Sequence, residues 1–151
     1  MSNNKFTIPY KDGKILKLET VLNYDNASNE YYFCLYHNKC LFRKNVIGYI
    51  QFRIIDADLS FKKLNISSAI KIWHNSIDEQ YRGYKLGKTM MNMLCEKISE
   101  STDLPHTIKA CPAGETPVPG LYVFYMKAGF RFVDEQEKIP SVTNVPMYRK
   151  V

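Results

Sequence analysis

The chain is short of most features that would place it in a special class. No apolar run approaches the roughly 20 residues that a membrane-spanning helix needs. Glycine and proline, 7 of each, are too sparse to form a linker or a low-complexity tract, and no internal repeat is visible. The start "MSNNKFTIPYKDG" lacks the basic lead and apolar centre of a secretory signal, so the expected location is cytoplasmic. The 4 cysteines, at positions 34, 40, 95 and 111, form no CxxC pair, and the 3 histidines, at 37, 74 and 106, complete no ligand set with them. His37 between Cys34 and Cys40 is one trio, so no metal is expected and the thiols are read as reduced and mostly buried. An acidic excess is also missing: the formal net charge is +6, which favours anionic partners, and the basic residues are spread along the chain rather than gathered in a tail.

What is present is enough for a core. At 151 residues, 45% hydrophobic and 13% aromatic, the chain is expected to form one domain over residues 1–151. "FTIPYKDGKILKLETVLNY" sets Asp12-Gly13 between two β-prone runs and predicts a hairpin. A helix over residues 15–22 competes with it, since Ile15, Leu18 and Leu22 also fit a helical stripe. "EYYFCLYH", "NVIGYIQFRIID" and "SAIKIWHNSI" read as strands. Leu86, Met90, Met93, Leu94 and Ile98 then follow helical spacing and predict a helix over residues 86–100. "TIKAC" reads as a short strand. Pro119 suits a first helical turn, with Leu121, Phe124, Tyr125 and Ala128 on one face and Gly129 placed to end the helix. "FRFVDE" and "NVPMYRKV" close the chain as strands. The order is that of a mixed α/β sheet protein, whose chemistry belongs where central strands give way to helices.

One such junction stands out. In "YRGYKLGKTMM" a strand ends at Ile77, a loop carries Arg82 and Gly83, and a helix opens near Leu86. The first turn of a helix has unpaired N–H groups at the positive end of its dipole and attracts anions. Gly83 and Gly87 let the backbone approach a ligand closely, and Arg82, Lys85 and Lys88 surround it with positive charge. An ordinary loop with solvated lysines is the alternative.

These residues resemble the signature of the GNAT superfamily of acyl-CoA-dependent N-acetyltransferases: Gln or Arg, two residues, Gly, one residue, then Gly or Ala. Arg82-Gly83-Tyr84-Lys85-Leu86-Gly87 fits it, with Lys85 where the middle glycine belongs. A register shifted to residues 80–85 keeps that glycine and loses the final one. "FYMKAGFRF" resembles a second family segment, with Tyr125, Lys127 and Gly129-Phe130 in its tyrosine, lysine and GF positions. The resemblance covers residues 70–133 and implies a mostly antiparallel mixed sheet flanked by helices. The helices usual between the first and second strands are reduced or missing here. It also implies acetyl-CoA as co-substrate, bound by Ile77, Arg82, Gly83, Tyr84, Lys85, Leu86, Gly87 and Lys88. Residues 75–78 would pair with the pantetheine arm, and Tyr125 would protonate the leaving thiolate as general acid.

The resemblance further implies direct attack by a primary amine, with no metal. The face of the central strand expected to meet the acceptor carries Ala69, Lys71 and Trp73, none of them a base; His74 alternates away unless a bulge returns it, and Glu79 and Glu115 lie in loops. The base is unassigned. A groove without the usual helices suits a peptide or protein amine. Cys111 could carry an acyl group but reads as a structural thiol. Two other classes remain open: a non-catalytic acyl-CoA-binding domain, and a basic nucleic-acid-binding domain, which the lack of a stacking motif disfavours. A homodimer is compatible with all three.

Overall fold

The computed structural model describes residues 4–40, 43–56, 58–113 and 118–151. The strands are β1 (Lys5–Pro9), β2 (Ile15–Asp25), β3 (Glu30–Cys40), β4 (Arg43–Asp56), β5 (Ser68–Ile77), β6 (Thr107–Ala110), β7 (Arg131–Phe132) and β8 (Met147–Lys150). The helices are α1 (Leu59–Lys62), α2 (Leu86–Glu100) and α3 (Val118–Lys127). Hydrogen-bonded neighbours follow the order β1-β2-β3-β4-β5-β6-β8-β7, a mixed and mostly antiparallel sheet. The chain divides into two compact units, residues 1–52 with 74–97 and residues 53–73 with 98–151; β4, β5 and α2 each contribute to both.

In the first unit the Asp12-Gly13 turn joins β1 to β2 as an antiparallel hairpin, and the competing helix over residues 15–22 does not form. Asp12 and Gly13 adopt left-handed φ of +58° and +70°, tolerable for an aspartate and free of penalty for a glycine. β2, β3 and β4 alternate in part, interrupted by the buried runs Leu18 to Thr20 and Phe33 to Leu35 and by register shifts between β3 and β4. Phe33, Leu35, Ile50 and Phe52 are buried on one face, while Tyr32, Tyr49 and Gln51 project from the other and are half-buried. The buried set from the strands and Leu86, Met90, Met91 and Leu94 from α2 make the core of this unit. Met91 is buried and Met93 only half-buried, so the apolar face of α2 is turned by part of a turn from the predicted stripe. Between β1 and β2 stands only the 3-10 turn Lys11–Gly13, and between β2 and β3 a turn, as the sequence led one to expect.

In the second unit β5 pairs in parallel with β6 through Ile70, Ile72 and the residue between them, and β8 runs antiparallel to both β6 and β7. Phe61 of α1, a helix the sequence reading missed, packs with Ile66, Ala69 and Val133. The buried Lys109 is neutralised by Asp58 and lies over the Phe61 ring, 5.0 Å from its centroid. Two predicted strands are shorter than expected. β7 is confined to Arg131–Phe132, and β8 begins after Pro146, which has no N–H to offer a ladder. The buried face of α3 is centred on Tyr122, Tyr125 and Ala128, with Leu121 and Phe124 at its margins, and Gly129 ends it at φ +88°. Cys34 and Cys95 are buried, but Cys40 is exposed and Cys111 half-exposed, which corrects the expectation that most thiols are enclosed. Among the described residues no helix is long and apolar enough to cross a membrane.

Candidate functional site

The junction between β5 and α2 is built mainly from backbone. Among the described residues β6 pairs β5 only as far as Ile72, yet β5 continues to Ile77, so its last turn-ward stretch keeps an edge that β6 does not fill. The other edge is held: the Asp78 amide donates to the Ile47 carbonyl at 2.8 Å. Gly48 makes that approach feasible, because a Cβ there would lie 2.6 Å from Ile77 Cδ1 and 2.8 Å from the Ser76 carbonyl. Sequence reasoning passed over this glycine; its position inside the run "NVIGYIQF" was the available signal, since a strand-interior glycine marks a close backbone approach.

After a 3-10 turn at Glu79–Tyr81 the chain enters the loop. Gly83 has φ +89°, and a Cβ there would meet nothing within 4 Å, so glycine is required by the backbone torsion and leaves open space above it. Lys85 adopts φ +58°, the left-handed region, at the position where the signature calls for glycine. A lysine side chain there costs about 1–2 kcal/mol. The loop has therefore kept the glycine conformation while gaining a cation. Lys85 is also the residue before the first turn of α2: its carbonyl accepts from the Thr89 amide and the Thr89 hydroxyl, both at 3.1 Å. A capping residue normally carries an acceptor side chain that occupies the amides of the first turn. Lysine has none, so Lys85 itself leaves the amides of the first turn without a cap, the end of a helix that favours an anion.

The remaining predicted binding residues fall around this point. The Leu86 side chain is buried, so it is not exposed to contribute to a surface site. Lys88 is exposed and Gly87 half-buried. Arg82 is exposed, with Nε donating to the Ile77 carbonyl at 3.1 Å, which joins the loop back to the end of β5. Tyr84 is half-buried against Tyr10, its ring centroid 5.1 Å away. Beneath the loop, Tyr81 is buried and its hydroxyl lies 3.2 Å from His37 Nδ1. Burial raises the Tyr81 phenol and lowers the His37 imidazole, the latter with help from Lys39, so the two groups meet as a neutral hydrogen-bonded pair.

Tyr125 stands on α3 in the other unit and is 8% exposed. Its ring meets Phe130 edge-on at 5.1 Å and Phe124 edge-on at 5.2 Å. The turn that ends α3 holds it, because the Phe130 amide donates to the Tyr125 carbonyl at 2.9 Å and the Arg149 guanidinium binds the Ala128 carbonyl. Neighbouring Tyr122, which the sequence reading left out, donates to the Val142 carbonyl and accepts from the Val145 amide.

The candidate bases are dispersed. His74 is exposed and stacks on Tyr49, 5.6 Å between centroids, and so lies on the polar face of β4 with Gln51 rather than on the buried one. On that face Glu30, 8% exposed, accepts from Gln51 Nε2 at 2.5 Å and from the Tyr32 hydroxyl at 3.3 Å. Lys71 and Arg53 both lie over the Trp73 ring, at 4.2 and 4.6 Å. Glu79 is exposed in the 3-10 turn, and Glu115 is outside the described residues. Among the described residues no group of His, Cys, Asp and Glu is arranged to hold a metal ion.

A family model described as the acetyltransferase (GNAT) family matches residues 4–130. No curated protein matches the chain. Among solved structures, a GNAT-family acetyltransferase from Staphylococcus aureus Mu50 is 21% identical with a TM-score of 0.54, covering 85% of this chain and 71% of that one. Arabidopsis thaliana NAA60 in complex with acetyl-CoA is 13% identical with a TM-score of 0.58, covering 80% and 76%. Arabidopsis thaliana Naa50, in complex with the bisubstrate analogue CoA-Ac-MVNAL, is 17% identical with a TM-score of 0.52, covering 80% and 72%. At these identities each likeness is one of fold.

Proposed function

We propose, from the premise that this chain belongs to the acetyltransferase (GNAT) family and is an acyltransferase, that it moves acetyl from acetyl-CoA to the primary amine of a peptide or protein. The observation that carries this reading is the stretch of β5 beyond Ile72 that β6 does not pair among the described residues, followed by a left-handed loop that opens α2 on a lysine, whose side chain offers no cap. That sequence of elements suits a ligand with an amide-bearing arm and a pyrophosphate. Residues 75–78 pair with the arm, and the amides at 83–88 receive the phosphates, with Arg82, Lys85 and Lys88 as counter-charge.

The acceptor nitrogen attacks the thioester carbon, the C–S bond breaks, and the thiolate leaves with a proton from Tyr125. A phenol, whose unperturbed pKa is about 10, can give a proton to a thiolate formed in the reaction. The proton lost from the acceptor nitrogen passes to solvent, and no side chain is assigned as its base. The peptide preference is supported by the absence of helices between β1 and β2 and between β2 and β3 among the described residues, which leaves that face without the walls that would enclose a small metabolite. Lys85 in the glycine conformation removes the main reason to read the loop as degenerate.

Calorimetric binding of acetyl-CoA, run beside a thiol-release assay over small amines and peptides, tests the reading. Binding with release on peptides supports it. Release on small amines alone overturns the acceptor class, binding without release overturns catalysis, and no binding overturns the site.

A further inference from the structure

The β1–β2 hairpin carries residues that the function above does not use. Tyr10, at its tip, reaches the loop region on three contacts. Its hydroxyl donates to the Gln80 carbonyl at 3.2 Å, its ring stacks on Tyr81 at 5.8 Å and 29°, and it meets Tyr84 at 5.1 Å. Tyr81 is anchored from the other side by His37 of β3, through the hydroxyl contact and an edge-on ring contact at 5.9 Å. A residue separated from Gln80 by 70 positions is thus stacked between the 3-10 turn before the loop and the loop itself.

The backbone on either side is costly to hold. Lys85 occupies a left-handed torsion that its side chain disfavours, and Gly83 loses more freedom than any other residue when it is fixed at φ +89°. An unrestrained loop of this kind would populate other conformations, and each would misdirect the amides of α2. Aromatic pairs stabilise beyond the area they bury, enough to bias such a loop. The hairpin tip is itself set in one geometry: Tyr10 donates its amide to the Lys14 carbonyl at 2.8 Å, Lys14 donates to Lys11 at 3.1 Å, and the left-handed Asp12-Gly13 pair closes the turn.

We propose that Tyr10 is a positioning residue for the coenzyme: through Gln80, Tyr81 and Tyr84 it holds the loop at residues 82–88 in the conformation that receives phosphates. Lys11 beside it, 5.7 Å over the Tyr10 ring, brings a further cation to the same side. This rests on the reading of residues 82–88 as the phosphate loop. The hairpin then acts on binding and not on the chemical step, because preorganisation lowers the entropy lost when the ligand arrives.

The test is calorimetry with CoA on the full chain, together with steady-state kinetics on the best acceptor. Tyr10→Ala should raise both the CoA Kd and the acetyl-CoA KM about tenfold while kcat at saturation stays within about twofold. Tyr10→Phe keeps the rings and loses the Gln80 bond, and should recover most of the affinity. If Tyr10→Ala does not fold, Tyr10→Leu, which preserves bulk but not the ring contacts, should show the same rise in KM. Equal KM in wild type and variants, or a fall in kcat that matches the rise in KM, overturns the positioning role. Failure of the wild type to bind CoA overturns the phosphate-loop reading instead, which separates the two.

Discussion

Gly83 and Gly129 share nearly the same backbone torsion, φ +89° and +88°, one before a helix and the other after one. Their surroundings differ. Above Gly83 a Cβ would find nothing within 4 Å, whereas at Gly129 it would lie 3.5 Å from the Arg149 guanidinium, which also binds the Ala128 carbonyl. The turn after α3 is closed on the protein's own side chain and holds Tyr125 in a cage of Phe124 and Phe130. The loop before α2 is open: it enters the helix on Lys85, which has no acceptor side chain, and Arg82, Lys85 and Lys88 are exposed. One region is closed by the protein's own side chains; the other, in the function proposed, is completed by the coenzyme. Binding and chemistry should accordingly respond to different substitutions.

The sharpest break in the comparison is at the open end. Gly87→Glu adds bulk and negative charge among the first amides of α2 and should weaken acetyl-CoA binding by roughly 100-fold or more, about 2.7 kcal/mol, with the fold intact by circular dichroism. Affinity equal to wild type would remove the phosphates from this loop. At the closed end, Tyr125→Phe preserves the ring contacts and removes the proton donor. We expect kcat to fall on the order of 100-fold with the acetyl-CoA Kd within about twofold of wild type, and a wild-type rate would end the general-acid assignment.

Lys85→Gly separates the two demands within one residue. It relieves a torsion that costs lysine about 1–2 kcal/mol and adds unfolded-state freedom of about 0.5–1 kcal/mol. Thermal stability should hold or rise slightly, while acetyl-CoA affinity drops about two- to fivefold with the lost charge. A loss of stability without a loss of affinity would mean that Lys85 serves the fold.

The smallest effect concerns the support beneath the loop. Burial, with help from Lys39, lowers His37 below its ordinary value of 6.5, so the folded chain binds this proton less tightly than the unfolded chain does. The associated stability is complete above about pH 6.5 and is lost as pH falls through the lower folded value. The melting temperature should therefore decline on acidification below about 6.5, and His37→Gln should flatten that slope. A slope unchanged in the variant would show that other groups cause it.

Most of this architecture could be read from the residues. "SAIKIWHNSI" and Leu86–Glu100 occupy the strand and helix expected of them, because alternation and 3.6-residue spacing are properties of consecutive side chains. The strand–loop–helix junction was legible for the same reason, because Arg82, Gly83, Lys85, Gly87 and Lys88 are neighbours in sequence and its left-handed torsions lie within that run. What stayed hidden depended on distant partners. Gly48 makes sense only beside Ile77, Tyr10 only beside Gln80 and Tyr84, and Tyr122 only beneath Val142 and Val145. The face on which His74 stands came from its stacking on Tyr49, not from its place in β5.

Local chemistry therefore determined where most of the turns, strands and helices lie and where the strand–loop–helix junction falls. Tertiary structure decided how far β5 stays paired, what restrains the loop, and which tyrosine is enclosed. The division follows from range. Torsional preference and periodicity act over a few residues, whereas strand pairing and ring packing join positions whose separation in sequence carries no signal of their contact.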